Sequence, residues 1–271
     1  MAKLASSSYV GNGIDDRSIT GVGFQPTWVL IKGNAAKYVW HKTPRFSGLE
    51  SQRYSGVTSG IDQIQAFEAD GFQLGLNVDV NSDGTTYFHQ ALLDGGDSDL
   101  DETLYTGDGN DDRSVTGAGF APLFALVFSD DETGSETYFR TASMTAGESQ
   151  SVIVAEAELN GIQDLEADGI QVGTLGGVNA DTKLYAFIAI KDTNSADEGQ
   201  YTGDGNDDRS ISGVGFQPTW VCTKRDNASN FSQRMKMGVN TGDVSFHVGS
   251  SANAPPNHCY SLPLATGRIG P

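Results

Sequence analysis

The stretch YTGDGNDDRS occurs at residues 105–114 and again at residues 201–210, and a looser version, YVGNGIDDRS, occupies residues 9–18. The three copies start 96 residues apart, and each is followed by a similar block such as NDDRSISGVGFQPTWVCTK in the third copy. Self-similarity at a fixed period is the signature of a repeated structural unit. The chain is therefore expected to contain three related units.

A second anchor fixes the register near the end of each unit. Gly71 lies in EADGFQLG, Gly169 in EADGIQVG and Gly267 in LATGRIG, at spacings of 98 residues. The first two copies then continue into a turn and an apolar strand, TTYFHQALL or KLYAFIAIK, whereas the third copy stops at Pro271. This register predicts that the third unit is incomplete and lacks its closing strand, which a neighbouring chain could supply by β-augmentation.

The composition and the patterning indicate an all-β protein. The 271 residues include 34 glycines, and the apolar runs are short and separated by turns, without sustained 3.6-residue periodicity. TWVLIKGNAAKYVWHK at residues 27–42 predicts a β-hairpin. Units of this length with many short strands are typical of β-sandwiches and jelly rolls. We expect tandem β-sandwich or jelly-roll-like domains at residues 1–104, 105–200 and 201–271.

The charge argues against some partners and favours one docking face. The net charge of −18 would repel nucleic acid. Residues 9–104 carry 13 acidic and 6 basic side chains and residues 105–200 carry 17 and 4, but residues 201–271 carry 5 and 6. A near-neutral end on an acidic chain predicts that the third unit is a docking domain. No apolar run predicts membrane insertion, and the N-terminal residues do not resemble a signal peptide.

The acidic motif is predicted to be a structural turn. Its glycines allow positive φ, its aspartates accept backbone N–H groups, and Arg17, Arg113 and Arg209 are placed for local ion pairs. The alternative is a metal loop, in which Asp108 and Asp112 would alternate with Asn110 as oxygen ligands.

A second acidic stretch, DVNSDG at residues 79–84, has the D-x-N-x-D-G opening of a calcium loop. Asp79, Asn81 and Asp83 would be its ligands, although Gln90 stands where an EF-hand has glutamate. A Ca²⁺ site and a polar turn both remain open. Ca²⁺ is the one cofactor for which the sequence gives an argument.

Signatures of catalysis are weak, and we expect a non-enzymatic protein. The chain has no G-K-[ST] phosphate loop and no G-x-S-x-G element, and its four histidines lack zinc spacing. Trp28 and Trp220 occupy equivalent positions and are expected in the core, whereas Trp40 is the candidate for an exposed, sugar-stacking aromatic. Cys222 and Cys259 are either two buried thiols or one disulfide bridge.

The order of these motifs resembles a tandem β-domain found in virion proteins of tailed phages, especially marine ones. The elements shared are Y-[TV]-G-[ND]-G, an arginine, G-[VA]-G-F-x-P-x-W-V-x-x-K and then D-G-F-x-[LV]-G. The second copy departs by having Phe124 and Phe128 in place of the tryptophan and lysine. In that family the units occur in tail-fibre, receptor-binding or head-decoration proteins.

The resemblance implies a structural protein of a virion, of the head-decoration or tail-fibre type, anchored through the near-neutral third unit. Its partners would be capsid or tail proteins and further copies of itself, and it would be exposed on the particle. The alternative function is a carbohydrate-binding adhesin, which would bind a host-surface glycan through Trp40 and Ca²⁺.

Overall fold

The computed structural model describes residues 3–34, 37–56, 59–94, 99–129, 136–153, 157–193, 196–224, 233–237, 246–247 and 262–264, the last two ranges without their side chains. Antiparallel strands dominate these ranges, and the helices are two single turns. The predicted all-β class is confirmed.

The first unit consists of two sheets. Six strands pair in the order β1-β9-β3-β4-β5-β6, and three shorter strands pair in the order β2-β8-β7. The elements are β1 (Lys3–Val10), β2 (Arg17–Thr20), β3 (Trp28–Gly33), β4 (Trp40–Lys42), β5 (Ser51–Arg53), β6 (Ser59–Gly60), β7 (Ile64–Glu68), β8 (Gly71–Leu74), α1 (Val78–Asn81) and β9 (Thr86–Leu93).

The second unit has the same arrangement. Its six-stranded sheet has the order β10-β18-β12-β13-β14-β15, and its three-stranded sheet has the order β11-β17-β16. The elements are β10 (Leu100–Thr106), β11 (Arg113–Thr116), β12 (Pro122–Ser129), β13 (Tyr138–Thr141), β14 (Ser149–Ser151), β15 (Ala157–Glu158), β16 (Ile162–Glu166), β17 (Gly169–Val172), α2 (Gly176–Asn179) and β18 (Leu184–Lys191).

The third unit contributes a four-stranded sheet in the described residues, in the order β21-β20-β19-β22. Its strands are β19 (Trp220–Thr223), β20 (Arg234–Met237), β21 (Phe246–His247) and β22 (Leu262–Leu264). The hairpin predicted at residues 27–42 is confirmed by β3 and β4, and the strands predicted from TTYFHQALL and KLYAFIAIK are confirmed by β9 and β18.

The central strand of each large sheet is covered on both faces. In β3, Val29 and Ile31 pack with Phe72 and Leu74 of the small sheet. Leu30, like Trp28, faces the opposite way. This explains why all six residues of β3 are buried, since alternate side chains of a strand point to opposite faces.

The three large sheets meet in one shared core. Trp28, Phe124 and Trp220, which are 96 residues apart, are each 2 % exposed and belong to one cluster of buried side chains. The cluster also includes Leu30, Leu126 and Cys222 from the same three strands, and residues of β13 and β20. The predicted units therefore share a common interior, in addition to the separate cores between the two sheets of the first and second units. Trp28 and Trp220 lie in the core as predicted.

Polar contacts also join the units. The side chain of Gln52 donates to the carbonyl oxygen of Ser129 at 2.9 Å, and Lys224 Nζ donates to the carbonyl oxygen of Ser151 at 2.7 Å. The first bond links the first unit to the second, and the other links the third unit to the second. Buried hydrogen bonds of this kind fix the orientation of packed sheets, because breaking one leaves a buried polar group without a partner.

The third unit has a strand at the position where the 98-residue register predicts that the closing strand is missing. β22 pairs with β19 so that Trp220 lies opposite Leu264, as Trp28 lies opposite Leu92 in the first unit. β22 is therefore the counterpart of β9, and the prediction that the closing strand is missing is wrong. The physical reason is that the apolar segment containing Leu264 can cover the open edge of β19 itself.

The structure also places the start of the second unit before the predicted boundary. The predicted boundary between residues 104 and 105 falls inside β10, which pairs along its length with β18 of the second unit. The second large sheet therefore begins at Leu100.

The predictions for Gly267 and Cys259 fall outside the described residues. Cys222 is buried, and its sulfur accepts a hydrogen bond from Gln233 at 3.0 Å.

Gly71 is predicted to be intolerant of any side chain. It starts β8 at φ +152°, and an added Cβ would lie 1.9 Å from the carbonyl oxygen of Ile19. Gly71→Ala should therefore lower the free energy of unfolding by about 2–3 kcal/mol, since the backbone of β2 would have to move. Gly23→Ala is the matched control, because φ is also positive but nothing lies within 4 Å. Urea unfolding measures both, and equal losses would contradict the steric argument.

Candidate functional site

The three acidic motifs fold into the same local structure. We call residues 9–24, 105–120 and 201–216 the motif segments. In each, the third residue after the tyrosine accepts a hydrogen bond from the backbone N–H two residues later at 3.0 Å. An aspartate further on has a φ of 53–54° in all three. Such Asx turns stabilise a tight loop, so the structural interpretation accounts for the motif.

The arginine of each motif segment closes this loop. Arg113 donates to the carbonyl oxygen of Thr106 at 2.6 Å, lies 3.4 Å from Asp108 and is placed over the ring of Tyr105. Arg209 makes the equivalent contacts in the third unit, including the ion pair with Asp204. The predicted local ion pair thus forms in both, with the carboxylate five residues before the arginine. In the first unit Arg17 donates to the carbonyl of Val10.

A buried asparagine anchors the first two motif segments. Asn179 accepts from the Asp108 backbone N–H and from Arg113, both at 3.1 Å, and donates to the carbonyl oxygens of Asn110 and Gly173. Asn81 makes the corresponding contacts in the first unit. Sequence reasoning missed this role, although the 98-residue spacing of these asparagines equals that of Gly71 and Gly169 and could have indicated it.

Asn179→Asp is predicted to destabilise the protein although it preserves the shape of the side chain. It replaces the donating amide by a carboxylate oxygen that faces two carbonyl oxygens, so the free energy of unfolding at pH 7 should fall by about 3 kcal/mol. Asn160→Asp, at an exposed turn position of the same unit, is the matched control and should change it by less than about 0.5 kcal/mol. Thermal melts of both variants test this, and a harmless Asn179→Asp would contradict the anchoring role.

The third motif segment keeps its local contacts but is not covered. Ile211 is 40 % exposed, whereas the equivalent Ile19 and Val115 are 6 % and 4 % exposed. The difference arises because β2 and β11 pair with β8 and β17 in the small sheets, so Ile19 and Val115 are buried between the small and large sheets of their units. This preformed and exposed segment is the candidate functional surface.

The predicted calcium ligands have other contacts. Asp79 accepts a hydrogen bond from the indole of Trp40 at 3.1 Å, Asn81 is committed to the motif segment, and Asp83 is exposed. Val78–Asn81 forms the single turn α1, capped by Asn77. Among the described residues, no three His, Cys, Asp or Glu side chains gather closely enough to hold a metal ion. Ca²⁺ binding by Asp79, Asn81 and Asp83 stays a prediction.

The prediction that Trp40 is exposed is wrong. The side chain is 2 % exposed and packs in the sandwich of the first unit with Phe72 and Val80. The alternation in YVWHK is compatible with one face in water, but β4 is covered on both faces, because Val39 lies in the shared core. Trp40 therefore offers no stacking surface to a sugar.

Two basic residues that sequence reasoning missed organise loops in the large sheets. Lys42 donates to the carbonyl oxygens of Phe46 and Gly48 at 3.2 and 3.1 Å, and burial lowers its pKa to about 8. Arg140, which is 98 residues later, donates to Thr145 and Glu148 in the same way. In the loops that follow β4 and β13, hydrogen bonds from these two cations therefore take the place of the inter-strand hydrogen bonds of a β-sheet.

A groove of about 410 Å³ lies between the second and third units. Its described lining includes Glu148, Glu198, Tyr201 and Lys224, and the hydroxyl of Ser143 donates to Glu198. Burial lowers the pKa of Lys224 to about 8. No histidine is among the described lining residues.

No family model, curated protein or solved structure matches the chain. None of the helices in the described part of the chain is long and apolar enough to cross a membrane. The functional argument therefore depends on the geometry of the chain itself.

Proposed function

We propose that the chain is a non-enzymatic structural protein of a tailed-phage virion, of the head-decoration or tail-fibre type, which attaches to the particle through its third unit. The observation that carries the proposal is the third motif segment, which has the same Asx turn and arginine contacts as its two counterparts but leaves Ile211 40 % exposed. Exposed apolar surface surrounded by polar residues marks protein–protein interaction sites. The phage assignment itself depends on the motif resemblance.

The rest of the molecule fits a particle component. The three sheets share one core, so the first two units provide a rigid body against which the third is held. The acidic charge is concentrated in the first two units, while residues 201–271 are near neutral. A neutral face can approach a capsid or tail protein, or another copy of the chain, without the repulsion that the acidic face would produce.

The histidines in the described core support a structural role. His41 and His89 are buried among aromatic rings, and burial lowers their pKa values to about 3 and about 4. Such side chains are neutral at physiological pH and are inaccessible to a substrate. The glycan-binding alternative has no support from Trp40, because that side chain is buried.

Localisation on intact particles tests the proposal. Virions purified through a density gradient should contain the protein at a fixed copy number, and cryo-EM should place its density on the head surface or on the tail. Antibody labelling of the same particles distinguishes the two positions. Recovery of the protein only in the soluble fraction of the lysate would overturn the virion assignment.

A further inference from the structure

The connection between β21 and β22 of the third unit is shorter than its counterpart in the first unit, which carries the hairpin β7–β8 and α1. Judged by strand pairing, Arg53 and Gln90 of the first unit are equivalent to His247 and Leu262 of the third. The first pair is separated by 36 residues and the second pair by 14. The stretch from the start of β7 to the end of α1, Ile64–Asn81, is by itself longer than that shorter connection. The connection between β21 and β22 therefore cannot repeat all of these elements, whereas β22 has the position of the closing strand.

The surface that the hairpin would cover in the third unit is already formed. In the third motif segment, Arg209 and the Asx turn have the same geometry as in the first two motif segments. The side chain at the centre of the segment, Ile211, is exposed, and Tyr201 is only half-buried, whereas Tyr9 and Tyr105 are 9 % and 7 % exposed. Little conformational entropy is lost when a partner binds here, because the turn of the motif segment is already formed in the free protein.

The segment also presents a preformed site for a carboxylate. In the first unit the two oxygens of Asp70 accept from the backbone N–H groups of Gly21 and Gly23 at 3.0 and 2.5 Å. Both glycines have positive φ, +89° and +85°, and the equivalent Gly213 and Gly215 have +109° and +79°. Successive amides in this conformation form an anion-binding nest.

In the second unit, the equivalent backbone amides are bonded to Asp168 in a related way. Asp168 accepts from Gly119 N through its carboxylate at 2.5 Å and from Gly117 N through its backbone carbonyl at 3.0 Å. In the part of the chain that the structure describes, no carboxylate is bonded to the amides of Gly213 and Gly215. The same two amides are therefore available to an aspartate from elsewhere.

The chemistry of the occupant follows from the two covered units. In both, the partner of the motif segment is an antiparallel hairpin in which Asp-Gly ends the turn and begins the second strand. The next residue is apolar and lies opposite the centre of the motif segment: Phe72 opposite Ile19, and Ile170 opposite Val115. The glycine is required because a Cβ would meet the facing carbonyl oxygen. The near-neutral charge of residues 201–271 repels an acidic hairpin less than the first two units would.

We infer that residues 209–216 are a docking surface for an Asp-Gly β-hairpin of another polypeptide, which completes the third unit as β7–β8 complete the first. A second copy of this chain is not the occupant, because its own two Asp-Gly hairpins are already paired with β2 and β11. The inference rests on the proposed function in that the hairpin would belong to the particle component that anchors the protein.

The test uses a hairpin of this chain as the probe. A synthetic peptide of residues 62–76, DQIQAFEADGFQLGL, is titrated into the ¹⁵N-labelled full chain. The amide signals of Arg209–Phe216 should shift, with those of Gly213 and Gly215 moving downfield as they bond a carboxylate. The Ile211→Glu protein, the Asp70→Ala peptide and the Phe72→Asp peptide should each weaken binding at least tenfold. Fusion of the same peptide to the C-terminus through a flexible Gly-Ser linker provides a second measurement, since it raises the effective concentration to about the millimolar range.

Protection of Ile211 from hydrogen exchange in the fusion, lost with the Asp70→Ala hairpin, would support the inference. It is overturned if neither the peptide nor the fusion perturbs residues 209–216, or if Ile211→Glu lowers the melting temperature as much as Val115→Glu, since the segment would then already be covered. An Ile211-dependent dimer in sedimentation would also overturn it, in favour of a second copy. Because the test needs no virion, its failure is distinguishable from a failure to find the protein on particles.

Discussion

Trp28→Ala should lower the free energy of unfolding by about 3–5 kcal/mol, the range for removing a large aromatic from a packed interior. The indole is 2 % exposed and belongs to the cluster shared by all three units. Because that cluster joins β3, β12 and β19, the loss should appear in the whole molecule at once. Urea unfolding followed by far-UV circular dichroism and by fluorescence of the remaining tryptophans should give coincident transitions, both shifted to lower urea.

The chain provides its own matched control for this substitution. Phe124 occupies the equivalent position in the second unit, so Trp28→Phe keeps an aromatic ring there and should cost clearly less than Trp28→Ala. Leu159→Ala, at a side chain that is 63 % exposed, should change the free energy of unfolding by less than about 0.5 kcal/mol. Two separate transitions in Trp28→Ala, with β19 unaffected, would show that the units have independent stability and would contradict a shared core.

The strands were predictable because their signal is local. The apolar runs of β3 and β18 are visible in short windows, and the 96-residue repeat identifies Trp28 and Trp220 as core positions. The Asx turns of the motif segments were equally predictable, since Asp and Gly restrict the backbone within a few residues.

The arrangement of the layers was not predictable in this way. Trp40 was expected at the surface because alternation in a strand says that two faces differ, but not that both are covered. The large sheets of the first and second units each lie between a small sheet and the shared core, so alternate residues of β4 enter two different interiors. No window of sequence contains that information, because the second interior is built by residues about 96 positions away.

The prediction that the third unit lacks its closing strand was wrong for a related reason. Gly267 follows the 98-residue spacing, which suggested that residues before it correspond to β7. Strand pairing instead places Leu264 opposite Trp220, where β9 belongs. A deletion inside a repeat shifts every later position, and the spacing of single glycines cannot reveal it. The apolar pattern of the strand is the more reliable guide, because the core has to be filled by the correct side chains.

Acid is expected to destabilise the protein from about pH 6.5 downward because of two buried histidines. Burial, with a contribution from the charge of Arg45, lowers the pKa of His41 to about 3, and burial lowers that of His89 to about 4. In the unfolded chain both titrate near 6.5. Between pH 6.5 and 4 the unfolded state therefore binds protons that the folded state does not, so stability falls as the pH falls. At pH 5 the loss is about 2 kcal/mol for each histidine and about 4 kcal/mol for both.

Substitutions taken from the other units isolate this effect from the titration of carboxylates. Phe139 is the counterpart of His41, and Phe187 is the counterpart of His89, so His41→Phe and His89→Phe introduce side chains that the same fold already accommodates. Each variant should remove about half of the dependence of the unfolding free energy on pH between 6.5 and 5, and the double variant should remove most of it. Urea titrations at half-unit pH intervals provide the measurement. A wild-type protein equally stable at pH 7 and pH 5, or a double variant with an unchanged slope, would show that the two imidazoles are protonated in the folded state and are therefore accessible to water.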